Sequence, residues 1–222
     1  TEYNFVVAEH HTPTDHYGMS LDQGLYIADM LRHLIELQIP LANLHTLIAY
    51  AEVEGWPNTA ALSPSPHFVR RPESYVLELF THHFAPVPVE SEMQDAPLLT
   101  GSVPALEVIA STDEAGERLT LLAVNKETTA TITATVVISG FTPAATATVW
   151  TLNGPDIAAF NDAGHPTDVV TTESAITDAG ERFVYPFPAH SVTVIELRRV
   201  RQIWLPLLIH DSEPIRRNGA YL

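Results

Sequence analysis

Apolar residues recur along the chain with two different periods, and the period changes near residue 87. Before that point, spacings of three and four predict an amphipathic helix with one buried face. The residues of this face are Leu21, Leu25, Ala28, Leu31 and Ile35. The helix is expected to begin after Ser20, because Ser20 and Gln23 have the spacing of a capping box. Pro40 is expected to mark its end.

Two short apolar runs on either side of this helix predict strands. The first strand is predicted over residues 2–7, and a second, buried strand over residues 41–48. A long loop rich in Pro, Ser and Asn follows, and Pro72 then begins a second helix. The apolar side of this second helix comprises Val76, Leu79, Phe80 and His83. This β-α-β-loop-α order is typical of parallel-sheet proteins.

From residue 87 onward, short alternating runs separated by turn residues replace the helical period. The clearest run spans residues 131–140, and runs at 119–125, 147–152 and 191–197 resemble it. In the first of these, one face is apolar: Ile132, Ala134, Val136 and Ile138. Strands spaced in this way predict an antiparallel β-sandwich. The expected domains are an α/β part over residues 1–86 and a β-sandwich over 87–199. The role of the tail at residues 200–222 is unclear.

Composition excludes several classes of function. The formal net charge of −16 argues against nucleic acid and anionic membranes, which need basic patches. The absence of cysteine excludes disulfides, thiolate metal sites and a cysteine nucleophile. No apolar run reaches the roughly 18 residues of a membrane helix, and no signal peptide is visible. The compartment stays open, with the cytoplasm slightly favoured over secretion.

Candidate chemistry concentrates near the first strand. Glu2 is a carboxylate in that strand, although such a residue is usually a solvated surface group. Asn4 lies two residues further on the same side and either orients the Glu2 carboxylate or caps the strand end. Trp56 either stacks on a ring of the substrate or anchors the long loop, and the anchor is slightly preferred. A metal-like group follows the strand, but a loop lining a substrate pocket is favoured there: Glu9, His10, His11, Asp15 and His16.

The order of several motifs resembles one known family. These motifs are Thr-Glu-Tyr-Asn at residues 1–4, Arg-Pro-Glu-Ser-Tyr at 71–75 and Phe-Pro-Ala-His-Ser at 187–191. Over roughly residues 1–198 the chain resembles the C-terminal portion of α-L-arabinofuranosidases of glycoside hydrolase family 51. The resemblance implies the last two βα units of a (β/α)₈ barrel followed by an antiparallel β-sandwich.

The resemblance also implies a function. The family consists of retaining glycosidases, and its nucleophile matches Glu2. Its acid/base is a Glu that follows an Asn upstream, and no Asn-Glu pair occurs in this chain. Residues 41–48 match the last barrel strand, which places His45 near the sugar. The expected substrate is an arabinofuranosyl saccharide, and no cofactor is expected.

The resemblance leaves the assembly and two other functions open. The rest of the barrel, from a longer parent or a partner chain, is expected to complete the fold. A homo-oligomer is expected, and this chain alone is expected to be inactive. One alternative is a non-catalytic sugar-binding or assembly module. The other is a different glycosidase of clan A, the group of related families to which family 51 belongs. Several of these families share a Glu at the end of barrel strand seven, the position that Glu2 matches, and a sandwich that follows the barrel.

Overall fold

A computed structural model of the protein describes residues 2–4, 18–48 and 60–200. The helices are α1 (Leu21–Glu36) and α2 (Pro72–Glu78), and a π-helical turn (Leu79–His83) continues α2. The strands are β1 (Glu2–Tyr3), β2 (Asn43–Leu44), β3 (Val87–Val89), β4 (Leu106–Thr112), β5 (Arg118–Asn125), β6 (Ile132–Val137), β7 (Pro143–Asn153), β8 (Val170–Ile176), β9 (Arg182–Phe187) and β10 (Ser191–Arg199). No helix in these ranges is long and apolar enough to cross a membrane.

Most of the described chain forms antiparallel sheet, which confirms the sandwich-type architecture predicted from the alternating runs. A six-stranded sheet has the order β3-β4-β5-β10-β7-β8, and β6 pairs with β9 in a second sheet. The four runs predicted as strands correspond to β5, β6, β7 and β10. Strands β3, β4, β8 and β9 lie outside the predicted runs. The only parallel pair among the described strands is β1 with β2.

Strand β10 holds the layers together because both of its faces are buried. All residues from Ser191 to Leu197 are buried, and successive side chains point to opposite sides of a strand. Val192 and Val194 join the core that includes α1 and α2. Ile195 and Leu197 join the core that includes Phe183 and Phe187 of β9. The helices and the small sheet therefore cover opposite faces of one central sheet.

Helix α1 begins where the sequence predicts, but the predicted capping box is wrong. Ser20 is the N-cap residue and makes no side-chain cap hydrogen bond. Its hydroxyl instead donates to Asp22 Oδ1 at 2.6 Å, and the same oxygen accepts the backbone N–H of Gln23 at 2.7 Å. The Gln23 side chain is thereby free to reach Asn4. The helix ends at Glu36, ahead of Pro40.

The prediction of a buried strand over residues 41–48 is wrong for the described structure. Only Asn43 and Leu44 form a strand, and Leu41 and Leu47 are 69% and 60% exposed. Beyond β2, the chain pairs with residues 61–62 through two backbone hydrogen bonds and a single bridge between Ile48 and Leu62, which do not extend β2 into a longer strand.

Helix α2 begins at Pro72 as predicted, with proline in the first turn. Its apolar side packs as expected, because Val76 and Leu79 are buried in the core shared with the sheet. His83, at the end of the π-helical turn, stacks on Trp150 of β7 with ring centroids 3.8 Å apart. Both helices are therefore anchored on the same face of the six-stranded sheet.

A cluster of charged residues joins α1 to the sheet. The buried Arg32 guanidinium contacts Asp29 Oδ1 at 2.9 Å and Glu107 Oε1 of β4 at 2.6 Å. Lys126, which follows β5, pairs with the same two carboxylates. Burial by itself would raise the pKa of Asp29, but Lys126 and Arg32 outweigh it and hold that pKa below its ordinary value. The two cations therefore favour the ionised form of Asp29, and the same cations bind Glu107.

Replacing Arg32 should destabilise the protein, because the carboxylates of Asp29 and Glu107 lose a buried partner. We expect Arg32→Met to lower the free energy of unfolding by roughly 3 kcal/mol, the low end of the range for a broken buried pair, since Lys126 remains. Chemical denaturation measures this loss. Arg182→Met is the matched control at an exposed position of β9, and an equal loss there would contradict the prediction.

Candidate functional site

The ends of β1 and β2 lie side by side because the two strands are parallel. Glu2 pairs with Asn43 and Tyr3 with Leu44. The His45 backbone N–H then donates to Tyr3 O at 3.1 Å. Carboxyl ends of parallel strands meet at one edge of a sheet, where α/β proteins commonly place functional groups.

The Asn4 side chain connects four elements at this edge. Its Nδ2 donates to the backbone carbonyl of His45, just after β2, and to Glu73 Oε1 in α2 at 3.3 Å. Its Oδ1 accepts from Gln23 Nε2 in α1. We call Asn4, Gln23, His45, Arg71 and Glu73 the Asn4 cluster. Through it, the end of β1 is tied to the end of β2 and to the first turn of each helix.

Glu73 is a buried carboxyl within the Asn4 cluster. It lies in the first turn of α2 and is only 1% exposed. Its Oε2 atom has no hydrogen-bond partner among the described residues. Burial raises its pKa from 4.5 to about 7, although nearby Arg71 and the hydrogen bond from Asn4 act in the opposite direction. The pKa of Tyr3 is raised as well, first by burial and then by the charge of Glu73.

Arg71 and Gln23 complete the buried part of the Asn4 cluster. Arg71 is fully buried, and its Nη1 donates to Ala60 O at 3.4 Å while its backbone N–H donates to Ala61 O at 3.0 Å. Gln23 is also buried, and its Oε1 has no partner among the described residues. The cluster thus places a cation, a carboxyl and the amide of Gln23 where they are shielded from water, beside the partly exposed Asn4.

The structure brings together two of the residues singled out by sequence, Asn4 and His45. His45 contributes its backbone to the Asn4 cluster and exposes its side chain. The backbone of Glu2 lies in β1, two residues before Asn4. Trp56 and the predicted histidine-rich loop lie outside the described residues, as does the Glu2 side chain.

Sequence reasoning missed the roles of Gln23, Arg71 and Glu73. An acidic residue in the first turn of a helix is ordinarily a solvated group that interacts favourably with the helix dipole, so nothing local indicates that Glu73 is buried. The spacing of Gln23 from Ser20 indicates a capping box instead. The contacts of Gln23 and Glu73 arise only when tertiary packing brings β1 against α1 and α2.

One described group has the composition of a metal site: Asp29, His33 and Glu107. Arg32 Nη2 lies 2.9 Å from Asp29 Oδ1, 2.6 Å from Glu107 Oε1 and 3.0 Å from His33 Nε2. The guanidinium therefore occupies the space between the three side chains. This group is an ion-pair cluster that joins α1 to β4.

Glu73 should make stability depend on pH. Because its folded pKa is raised, the folded state favours the protonated form. This stabilisation is complete below about pH 4.5 and is lost as the pH rises through about 7. The free energy of unfolding should fall over this window by on the order of 3 kcal/mol.

Glu73→Gln should remove that component of the pH dependence, since glutamine does not ionise. Denaturant titrations at several pH values measure it. Glu78→Gln, at a partly exposed position of the same helix, is the control that should retain the wild-type dependence. An unchanged pH dependence in Glu73→Gln would contradict the assignment.

Comparisons with known proteins place the chain in a family. Residues 2–191 match the family described as the alpha-L-arabinofuranosidase C-terminal domain. A search of curated protein sequences finds no significant match. The fold is similar to an α-L-arabinofuranosidase from Thermotoga maritima in an arabinose complex, with a TM-score of 0.74 and 24% identity over 89% of this chain and 42% of that one.

Two further solved structures have a similar fold. A thermostable family 51 α-L-arabinofuranosidase from Thermotoga petrophila has a TM-score of 0.72 and 24% identity over 88% of this chain and 42% of that one. A family 44 xyloglucanase from Paenibacillus polymyxa has a TM-score of 0.55 and 19% identity over 81% of this chain and 29% of that one. The chain spans less than half the length of these relatives. Because the family match covers most of the chain, the protein belongs to the alpha-L-arabinofuranosidase C-terminal domain family.

Proposed function

We propose that this chain is the C-terminal part of a longer retaining glycoside hydrolase that releases terminal α-L-arabinofuranose from hemicellulose or oligosaccharides. The observation that carries the proposal is the family match over residues 2–191. The Asn4 cluster at the ends of β1 and β2 supports it, because it lies where a barrel enzyme keeps its active site.

In this proposal, residues 1–86 form the last two βα units of a (β/α)₈ barrel, and residues 87–199 form the sandwich. The parallel pairing of β1 and β2 across α1 supports the first part, because parallel neighbours need such a crossover. Apolar side chains beside β2 are exposed and call for a covering layer. They are Leu37, Ile39, Leu41, Leu47 and Ile48.

The rest of the barrel, from the same polypeptide or a partner chain, would supply that layer. It would also supply the acid/base carboxyl, so the present chain alone would be inactive. A homo-oligomer is part of the same proposal.

The proposed reaction proceeds in two displacements. The Glu2 carboxylate attacks the anomeric carbon, and the bond to the leaving oxygen breaks as the acid/base carboxyl protonates that oxygen. Water then attacks the anomeric carbon and gives up a proton to the acid/base, which is now a carboxylate. The bond from Glu2 to the sugar breaks, and the sugar is released with its configuration retained. The two carboxyl groups need to be about 5–5.5 Å apart for this chemistry.

Three other residues take supporting roles in the proposal. Asn4 and His45 lie at the ends of adjacent strands, and His45 exposes its side chain there. Trp56 would stack on the sugar ring. The Asn4 amide donates to His45 and Glu73, which supports a role in holding the strand that carries Glu2. Contact with the substrate is a second role of Asn4 in this proposal.

A different glycosidase of the same clan is the second candidate function. The similarity in fold to a xyloglucanase favours it, because that similarity extends over 81% of this chain. Aryl glycosides that differ only in the sugar separate the two candidates. Preferential cleavage of the arabinofuranoside supports the first, and preferential cleavage of a glucoside or xyloside supports the second.

Glu2→Ala in the full-length enzyme should lower kcat on an aryl α-L-arabinofuranoside by roughly 10⁴-fold or more, as removal of a nucleophile does in other enzymes. Added azide should restore part of the turnover, because it can attack the anomeric carbon in place of the lost carboxylate. Glu78→Gln serves as the control with wild-type turnover. Wild-type turnover in Glu2→Ala would refute the role of Glu2.

A further inference from the structure

The buried carboxyl of Glu73 has no role in the proposed reaction, yet it is bonded to the strand that carries Glu2. Its Oε1 accepts from Asn4 Nδ2 at 3.3 Å, and the same amide donates to the His45 carbonyl. The Asn4 side chain also accepts from Gln23. A change at Glu73 therefore reaches the end of β1 through one side chain.

The Asn4 side chain acts directly after the end of β1. Among the described residues, β1 pairs with β2 through Glu2 with Asn43 and Tyr3 with Leu44. The hydrogen bonds of Asn4 extend this attachment by one residue and connect it to both helices. A catalytic group has to be held to within about 0.5 Å, so a loosely held strand end would cost turnover.

We propose that Glu73 is a positioning residue, which through Asn4 fixes the backbone of β1 from which Glu2 extends. This inference rests on the proposed function, in which Glu2 is the nucleophile. Glu73 itself touches neither substrate nor the reacting atoms.

The surroundings of Glu73 favour its uncharged form. Arg71, two residues earlier, favours the charged form, whereas burial disfavours it and raises the pKa to about 7. Tyr3 of β1 is a further titratable neighbour, and its pKa is raised by burial and by the charge of Glu73. From α1 the cluster receives the uncharged Gln23, while Asp22 is bonded to Ser20 and to the backbone of Gln23. Glutamine at position 73 therefore reproduces the uncharged carboxyl in shape and hydrogen bonding.

The test compares Glu73→Gln with Glu73→Ala in the full-length enzyme, with kcat and KM measured on an aryl α-L-arabinofuranoside on both sides of pH 7. Glu73→Ala should lower kcat by about 10–100-fold, as a misplaced catalytic group does, and leave KM within about 3-fold. Glu73→Gln should keep kcat within about 3-fold and lose any decline in kcat that the ionisation of Glu73 causes. Glu78→Gln should match the wild type in both respects.

A double-mutant cycle tests whether Glu73 acts through Asn4. Residues that act through one contact have effects that do not multiply. The double variant Asn4→Ala with Glu73→Ala should therefore lose no more kcat than the more impaired single variant. Fully multiplicative losses would overturn the inference, as would wild-type kcat in Glu73→Ala or equal losses in the Gln and Ala variants.

Two further comparisons cover a variant that does not fold and separate the positioning role from the proposed function. If Glu73→Ala does not fold, Glu73→Asp decides, because its shorter side chain draws the carboxyl away from the Asn4 amide: a kcat about 10–100-fold below the wild type supports the inference, and wild-type kcat overturns it. Glu2→Ala is measured alongside. Full activity in Glu2→Ala refutes the proposed function, whereas an inactive Glu2→Ala with an unimpaired Glu73→Ala refutes only the positioning role.

Discussion

The burial of β10 on both faces is the constraint on which the rest of the structure depends. Val192 and Val194 pack against the helices, while Ile195 and Leu197 pack against β6 and β9. A one-residue shift in register would move each of these sets of side chains into the opposite core, whose packing it does not fit. The central sheet thereby fixes where α1 and α2 lie, and with them the short strands β1 and β2.

Polar residues in the first turns of α1 and α2 connect this packing to the candidate site. The first turns of α1 and α2 contribute Gln23 and Glu73, and both are buried against Asn4. Buried polar groups are costly unless they are bonded, so such a cluster tolerates few arrangements. The result is a strand end that is held by side chains from α1 and α2 and by the His45 carbonyl, next to the position of Glu2.

The sequence predicted the parts of the fold that depend on local patterns. Alternation predicted β6 and the apolar side that it packs, and Pro72 predicted the start of α2. The pattern failed at residues 41–48, where Leu41, Leu47 and Ile48 are exposed and only Asn43 and Leu44 form a strand. Gln23, Arg71 and Glu73 could not be predicted as a cluster, because their burial arises from contacts between distant segments. The family resemblance, in contrast, depended on the order of short motifs and is confirmed.

The central claim is that Glu2 forms the covalent bond to the sugar. The most direct measurement is to trap that intermediate in the full-length enzyme with an activated arabinofuranoside whose second step is slow, and to locate the label by peptide mass spectrometry. An added arabinofuranosyl group on Glu2 is the predicted result. A label on a different carboxylate, with Glu2 unmodified, would contradict the claim.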